Sequence, residues 1–411
     1  MEGYITKIHT VVPNSSKFVS VEVEGRNIII TGVNGCGKTQ LIDCLYGFLD
    51  ARIRNRQTGS LYHFRQLLES YEGELSVLTP GEGNYTNIQS VVVTTRGGML
   101  SAMHPAVHAD DIENFVIKYH EGSALLLKFD AQRQAQIREP KASLSKAELR
   151  NQSSIQGGGS AALFEDYLVS HKTAQAYAES RAIDNNPAEA LRIERWFEKL
   201  EGDLQELFED PALELKFDSS VLGFYIKQAG KDPYRFQSLS SGFSSILSIY
   251  ADIITRIELR SISPDEVTGV VLIDEIDAHL HVSLQRKILS FLTKSFPRIQ
   301  FVVTTHSPFV VSSVSNAVIY DLSSMEQIDD LSMYSFESIL DGLFNVLPIS
   351  EVLKDKVIEM SALVGSDAPD LSRLKNLVSE ISEHENKLDS ESAYFLKVAK
   401  ISLNKALRGI S

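Results

Sequence analysis

Residues 32–39 read Gly-Val-Asn-Gly-Cys-Gly-Lys-Thr and complete the pattern G-x-x-x-x-G-K-[ST]. They stand directly after the apolar run Ile28 to Thr31 and directly before an apolar-periodic stretch that starts at Lys38. The context matters as much as the motif, because a strand that runs through a glycine-rich turn into a helix builds an anion cradle from backbone alone. Gly32, Gly35 and Gly37, with Asn34 and Cys36 between them, let N–H groups turn inward around phosphates; Lys38 reaches the terminal phosphates and Thr39 offers a hydroxyl to Mg2+. From average composition a chance match in a chain of this length is on the order of one in a hundred, before strand and helix are demanded. The loop predicts ATP and Mg2+ as ligands.

Three further elements follow in order. Gly269-Val-Val-Leu-Ile-Asp-Glu-Ile-Asp277 is an apolar run ending in adjacent carboxylates, the Walker B pattern. A strand buried on both faces is apolar throughout, and it delivers Asp274 to the sheet edge beside the metal. Asp274 is suited to hold Mg2+, and Glu275 to act as general base toward an attacking water. Leu239-Ser240-Ser241-Gly242 opens a helix about thirty residues earlier, where the serines also fit a plain N-cap. Thr304-Thr-His-Ser-Pro308 ends the strand Gln300 to Val303 and places His306 beyond the sheet edge. Each of the last three is common alone; in this order behind a phosphate loop they point to one site.

The remaining chain sets the frame. Strands are expected at Tyr4 to Val11, Phe18 to Val23, Asn27 to Thr31, Thr268 to Ile273, Gln300 to Thr304 and Ala317 to Tyr320, with a strand pair around Ile88 to Thr95 and Phe115 to Phe129. Ala188 to Phe208 carries apolar residues at helical spacing, Gln152 to Ser160 reads as a mobile loop, and the pattern from Ser335 onward is helical and charged. The predicted fold is an α/β P-loop NTPase: a mixed sheet with an inserted helical lobe and a helical C-terminal extension. Its segments are 1–57 with the P-loop, a middle region 58–235, a second head part 236–322, and the extension 323–411. No apolar run approaches the ~20 residues of a membrane span and no signal peptide is visible, so a cytoplasmic location is expected. Cys36 and Cys44 are the only cysteines and are too far apart on a helix, about 12 Å, for a disulfide. A net charge of −14 argues against wholesale coating of nucleic acid.

The order P-loop, 239–242, acidic pair, His306 resembles the ABC-type ATPases, with Leu239-Ser240-Ser241-Gly242 as their signature and His306 as their switch histidine. Transporter subunits keep the signature closer to the P-loop, and SMC-like proteins insert long coiled coils there. Ile273-Asp-Glu-Ile-Asp-Ala-His-Leu-His281, the Thr304 to Val310 run and Ala317-Val-Ile-Tyr-Asp321 resemble the AAA/ABC-like ATPases of bacterial anti-phage systems. Phe336 to Phe344 and Arg195-Trp-Phe-Glu198 look like the PtuA ATPases of Septu and retron-associated systems, with the PARIS ATPase and RecF-like repair ATPases as rivals. The resemblance implies slow ATP hydrolysis in a sandwich dimer or larger assembly, in which Ser240, Ser241 and Gly242 of one copy cap the nucleotide held by another. It also implies a separate effector protein, a nuclease, under the control of this chain; a RecF-like repair role and a non-hydrolysing scaffold that sequesters a toxic effector are the alternatives.

Two departures stand out. Gln40 replaces the hydroxyl residue that meets the α-phosphate in ABC proteins, and the Q-loop glutamine has three candidate positions, Gln132, Gln134 or Arg133 as its substitute. No nuclease centre is legible, and His279 with His281, or His104 with His108, read as loop residues rather than metal pairs. Arg52, Arg54 and Arg56 form a basic cluster that could meet DNA phosphates.

Overall fold

The computed structural model describes residues 4–54, 61–81, 84–103, 107–109, 112–133, 136–155, 160–344, 350–366, 370–385, 388 and 390–407. The strands are β1 (Ile5–Val11), β2 (Phe18–Glu22), β3 (Asn27–Thr31), β4 (Val107–Ala109), β5 (Ala124–Phe129), β6 (Glu214–Asp218), β7 (Gly223–Lys227), β8 (Thr268–Ile273), β9 (Ile299–Thr304), β10 (Ala317–Asp321) and β11 (Glu326–Asp329). The helices are α1 (Lys38–Arg54), α2 (Leu61–Val77), α3 (Tyr85–Met103), α4 (Ile112–Glu121), α5 (Lys146–Ile155), α6 (Phe164–Glu179), α7 (Pro187–Phe208), α8 (Ser241–Leu259), α9 (Val282–Gln285), α10 (Ile288–Ser295), α11 (Pro308–Val311), α12 (Phe336–Gly342), α13 (Glu351–Val364), α14 (Leu371–Ser382) and α15 (Ser390–Leu407).

Six strands form the main sheet in the order β11-β10-β3-β9-β8-β5, parallel throughout except for β11, which pairs antiparallel with β10. The uninterrupted apolar runs are accounted for by position: every residue of β3, β8 and β9 is buried, as strands covered on both faces require. On one face lies α1, whose Leu41, Ile42, Leu45, Leu49 and Ile53 make a buried stripe. A second, antiparallel sheet of order β2-β1-β4 packs its inward residues Ile5, Ile8, Val19 and Val21 into the same core as Ile28, Ile30, Leu126, Val270, Leu272 and Val302. β2 buries every second residue, the period of a strand with one wet face.

The lobe is built from α5 to α8 and the β6-β7 hairpin. α7 starts at Asn186, whose side chain accepts the Glu189 N–H, with Pro187 in the first turn, and it stops where Glu209 turns left-handed (φ 55°). Residues 335–411 form a separate compact unit in which α13, α14 and α15 bury Met360, Leu374, Leu377, Ile381, Leu396 and Ala399 among themselves.

Three expectations are corrected. Residues 88–95, expected as a strand, lie within α3, which packs on α2. Phe115 belongs to α4, and only from Ala124 does the chain become a strand; Gly122 (φ 87°) makes the turn between them. β-Branched residues favour strands only weakly, and helix packing overrides that preference. The helical extension does not begin at 323, because β11 extends the sheet to Asp329 and the compact division falls after Tyr334. Of the expected loop at 152–160, residues 152–155 complete α5, Ser160 opens a buried 3-10 turn, and 156–159 lie outside the described residues.

Candidate nucleotide site

Gly32, Gly35 and Gly37 all have positive φ (134°, 76° and 109°), the conformation that glycine adopts without strain. Space is tight as well: a Cβ on Gly32 would stand 2.8 Å from Ser323 Oγ, and one on Gly37 2.8 Å from Val12 Cγ1. The loop is braced from outside. Val33 N–H donates to Ser323 Oγ at 2.8 Å, and Lys17 Nζ donates to the carbonyls of Cys36 (3.2 Å) and Leu322 (2.9 Å). Lys38, only 6% exposed, curls over its own loop and donates to the carbonyls of Gly32 (3.0 Å) and Val33 (3.2 Å). Asn34, Gly35, Thr39 and Gln40 are exposed, whereas Cys36 is buried.

The P-loop and the acidic strand meet. Thr39 Oγ1 donates to Asp274 Oδ2 at 2.8 Å across 235 residues of sequence, and Thr304 Oγ1 donates to the other oxygen, Oδ1, at 2.6 Å. Asp274 is buried and its N–H donates to Phe129 O at 2.8 Å, which anchors it to β5. Glu275 is half-buried in the left-handed region (φ 44°), with its N–H on Thr304 Oγ1 at 2.7 Å. Ile276 N–H donates to Thr304 O at 2.9 Å, and Thr305 Oγ1 to Asp277 Oδ1 at 2.6 Å. His306 follows on the same loop; burial, and then the Lys38 charge, hold its imidazole below the usual histidine range.

The donor set fits what the motifs imply. A hydroxyl and a carboxylate already in contact are hard oxygen ligands of the number that Mg2+ takes from protein when phosphates complete its shell. At Gly35, between the two crowded glycines, nothing stands within 4 Å of an added Cβ, so the middle of the loop is open. Among the described residues no group of three or more His, Cys, Asp or Glu gathers as an independent metal site. His281 instead caps α9, its ring nitrogen accepting from Ser283 N–H, and His279 is exposed.

The signature residues lie at the start of α8. Ser240 holds the N-cap position, yet its side chain makes no capping hydrogen bond, and both Ser240 and Ser241 are exposed. The simple cap explanation therefore lacks its bond. Gly242 is buried where α8 closes on the loop after the acidic strand: a Cβ there would meet His279 O at 3.3 Å and Leu284 Cδ1 at 3.4 Å. The approach to the signature is fixed by Glu165, fully buried, which accepts from Phe224 N–H (2.9 Å), Arg235 (3.0 Å) and Gln237 (2.7 Å).

Of the Q-loop candidates, Gln132 is exposed and Gln134 lies outside the described residues. Arg133 turns to the acidic turn, donating to the carbonyls of Asp274 (2.8 Å), Glu275 (3.0 Å) and Ile276 (2.9 Å). Arg52 is half-buried with its guanidinium 5.3 Å from the Phe48 ring centre, while the Arg54 side chain and Arg56 lie outside the described residues. Lys17 and Ser323 carry no mark in the sequence and Thr304 is marked there only as part of the His306 run, since each acts through backbone atoms or through a residue far away in the chain.

Residues 112–312 match the family described as "AAA domain, putative AbiEii toxin, Type IV TA system", a span that takes in the signature, the acidic strand and His306. "Retron Ec83 probable ATPase" of Escherichia coli is 47% identical over 89 residues, covering 21% of this chain and 16% of that protein. "Septu protein PtuA" of Bacillus thuringiensis is 31% identical over 164 residues, 38% of each chain. In these segments the chain is similar to the retron and Septu proteins. The match spans well under half the length of these relatives. An SMC head solved with the C-terminal winged-helix domain of ScpA aligns with 81% of this chain and all of that chain, at 14% identity and a TM-score of 0.36. No described helix is long and apolar enough to cross a membrane.

Proposed function

We propose that this ATPase is the switch subunit of an anti-phage defence complex, binding ATP with Mg2+, hydrolysing it slowly, and controlling a separate effector, a nuclease, through the assembly of its own copies. The observation that carries this reading is the 2.8 Å bond from Thr39 to Asp274, with Glu275 adjacent, which brings P-loop and acidic strand into one site. When bound, Mg2+ supplies charge neutralisation at the phosphate oxygens, and Thr39 and Asp274 are the residues that would hold it. Lys38 and the inward N–H groups of 32–39 bind and orient the triphosphate; Lys38 must exchange its loop carbonyls for phosphate oxygens to do so. Glu275 takes the proton of the attacking water at its carboxylate, and His306 exchanges a hydrogen bond with the terminal phosphate.

Exposed serine hydroxyls at the start of α8, with no bond to their own helix, are free to serve a nucleotide held by a second copy. A dimer would then contain two composite sites, and ATP binding would favour the closed state.

Mutation separates the parts. Lys38→Ala should abolish ATP binding, whereas Glu275→Gln should bind ATP and accumulate as a closed dimer in size-exclusion chromatography. Ser241→Arg should bind ATP without hydrolysing it, and mixing it with Lys38→Ala should restore at most one working site per dimer. Unchanged turnover in Ser241→Arg would reduce residues 239–242 to a helix start and remove the composite site. ATP affinity without any turnover in wild type would favour the scaffold role over the hydrolytic switch.

A further inference from the structure

Glu275 occupies an unusual backbone position for a residue asked to aim a carboxylate. Its φ of 44° lies in the left-handed region, which a non-glycine residue holds only where its surroundings impose it. Two sets of bonds impose it here. On one side the amides of Glu275 and Ile276 are tied to Thr304, through its hydroxyl at 2.7 Å and its carbonyl at 2.9 Å. On the other side three successive carbonyls, those of Asp274, Glu275 and Ile276, converge on the guanidinium of Arg133 at 2.8, 3.0 and 2.9 Å. A fourth bond, from Arg133 to Asp130 O at 3.0 Å, closes the arginine back on its own loop.

We infer that Arg133 is a positioning residue for hydrolysis, holding the turn 274–276 in the one backbone geometry that aims the Glu275 carboxylate. The inference rests on the proposed role of Glu275 as base. Only a planar fork of donors serves three carbonyls arranged in an arc; an ammonium on a flexible stem reaches one or two. Burial draws the Arg133 pKa down to about 10, against the opposing pull of Asp277, Asp274 and Glu275, so the fork stays charged at neutral pH. Its Nε is buried and has no hydrogen-bond partner among the described residues, so the clamp is made by the two terminal nitrogens. Among the described residues the Arg133 guanidinium bonds to Asp130 and to the turn 274–276, not to the P-loop, which separates this role from binding the nucleotide.

The test uses the full chain with ATP and Mg2+, measuring kcat, KM and the affinity for a fluorescent ATP analogue in Arg133→Lys, Arg133→Gln, Glu275→Gln and the two double variants. All are assayed well below their thermal midpoints, and should Arg133→Gln fail to fold, the charge-conserving Arg133→Lys carries the comparison. Arg133→Lys should lower kcat on the order of 10- to 100-fold, as a small misplacement of a reacting group does, with KM and ATP affinity within about twofold of wild type. In the Glu275→Gln background the same change should lower kcat no further, because there is no carboxylate left to aim. If the two losses multiply in the double variant, or if Arg133→Lys lowers ATP affinity and spares kcat, the positioning role is overturned while the base stands. If Glu275→Gln alone turns over at the wild-type rate, the base falls, and the inference with it.

Discussion

Replacing Gly269 by alanine puts a methyl group where the neighbouring strand already stands. Gly269, the second residue of the acidic strand β8, has φ 149° and pairs with Leu125 of β5. A Cβ there would lie 2.2 Å from Leu125 O and 2.8 Å from Leu125 N, both backbone atoms that cannot rotate away. Strain from the positive φ is of order 1–3 kcal/mol, and forcing an extra carbon into a packed interior adds about 1–3 kcal/mol. At about 2–4 °C per kcal/mol, Gly269→Ala should lower the thermal midpoint of the head by roughly 5 °C or more. The single tryptophan, Trp196, reports on this body, since its Nε1 donates to Glu258 at 2.7 Å inside the lobe. Gly202 is the internal control: it sits exposed within α7, with nothing within 4 Å of an added Cβ. The same substitution there should stabilise by about 0.5–1 kcal/mol, as alanine does in a helix interior. Opposite signs are expected in fluorescence-monitored denaturation. A Gly269→Ala midpoint within 1 °C of wild type would refute the steric reasoning.

Acid should weaken the lobe through His171. Burial among Tyr167, Trp196 and Phe197, aided by Arg192, brings its pKa down to about 4, so between roughly pH 6.5 and pH 4 the unfolded chain binds a proton that the folded chain refuses. Stability should fall by about 3 kcal/mol across that window and level off below it; His171→Phe should remove this part of the slope in urea midpoints measured at pH 7.5, 5.5 and 4. Thr39→Val deletes the bond to Asp274 and one proposed metal ligand, so ATP affinity should drop roughly tenfold with Mg2+ and change little in EDTA; titration calorimetry in both buffers distinguishes the two. Arg235→Met leaves the fully buried Glu165 short of its cation and should destabilise by about 3–5 kcal/mol, most of which Glu165→Met in the same chain should recover in a denaturant titration.

Motifs that act through backbone geometry are legible from the residue order alone: three glycines at fixed spacing around Lys38, and an apolar run ending in Asp274, each demand one local structure. The α/β architecture followed, because β3, β8 and β9 must be covered on both faces. Residues 88–95 misled because Ile88, Val91, Val92, Val93, Thr94 and Thr95 carry the β-branched signature of a strand, while the packing of α3 on α2 decides otherwise. Arg133 was visible as a candidate, but its bonds go to carbonyl oxygens, which every residue owns and no sequence pattern marks. Lys17 and Ser323 brace the P-loop from positions that nothing local connects to it.

The place of β3 in the sheet also sets a timetable. Its partners are β9 and β10, and in the register Ile28 faces Val302 while Thr31 faces Asp321. A ribosome adding about 5–20 residues per second releases the P-loop strand on the order of 15 to 60 s before either neighbour exists. Throughout that interval the glycine loop lacks the Ser323 hydroxyl, Thr39 lacks its aspartate, and the nascent chain carries a phosphate motif that has no wall to lean on. The braced form of the loop therefore cannot precede the synthesis of β9 and β10.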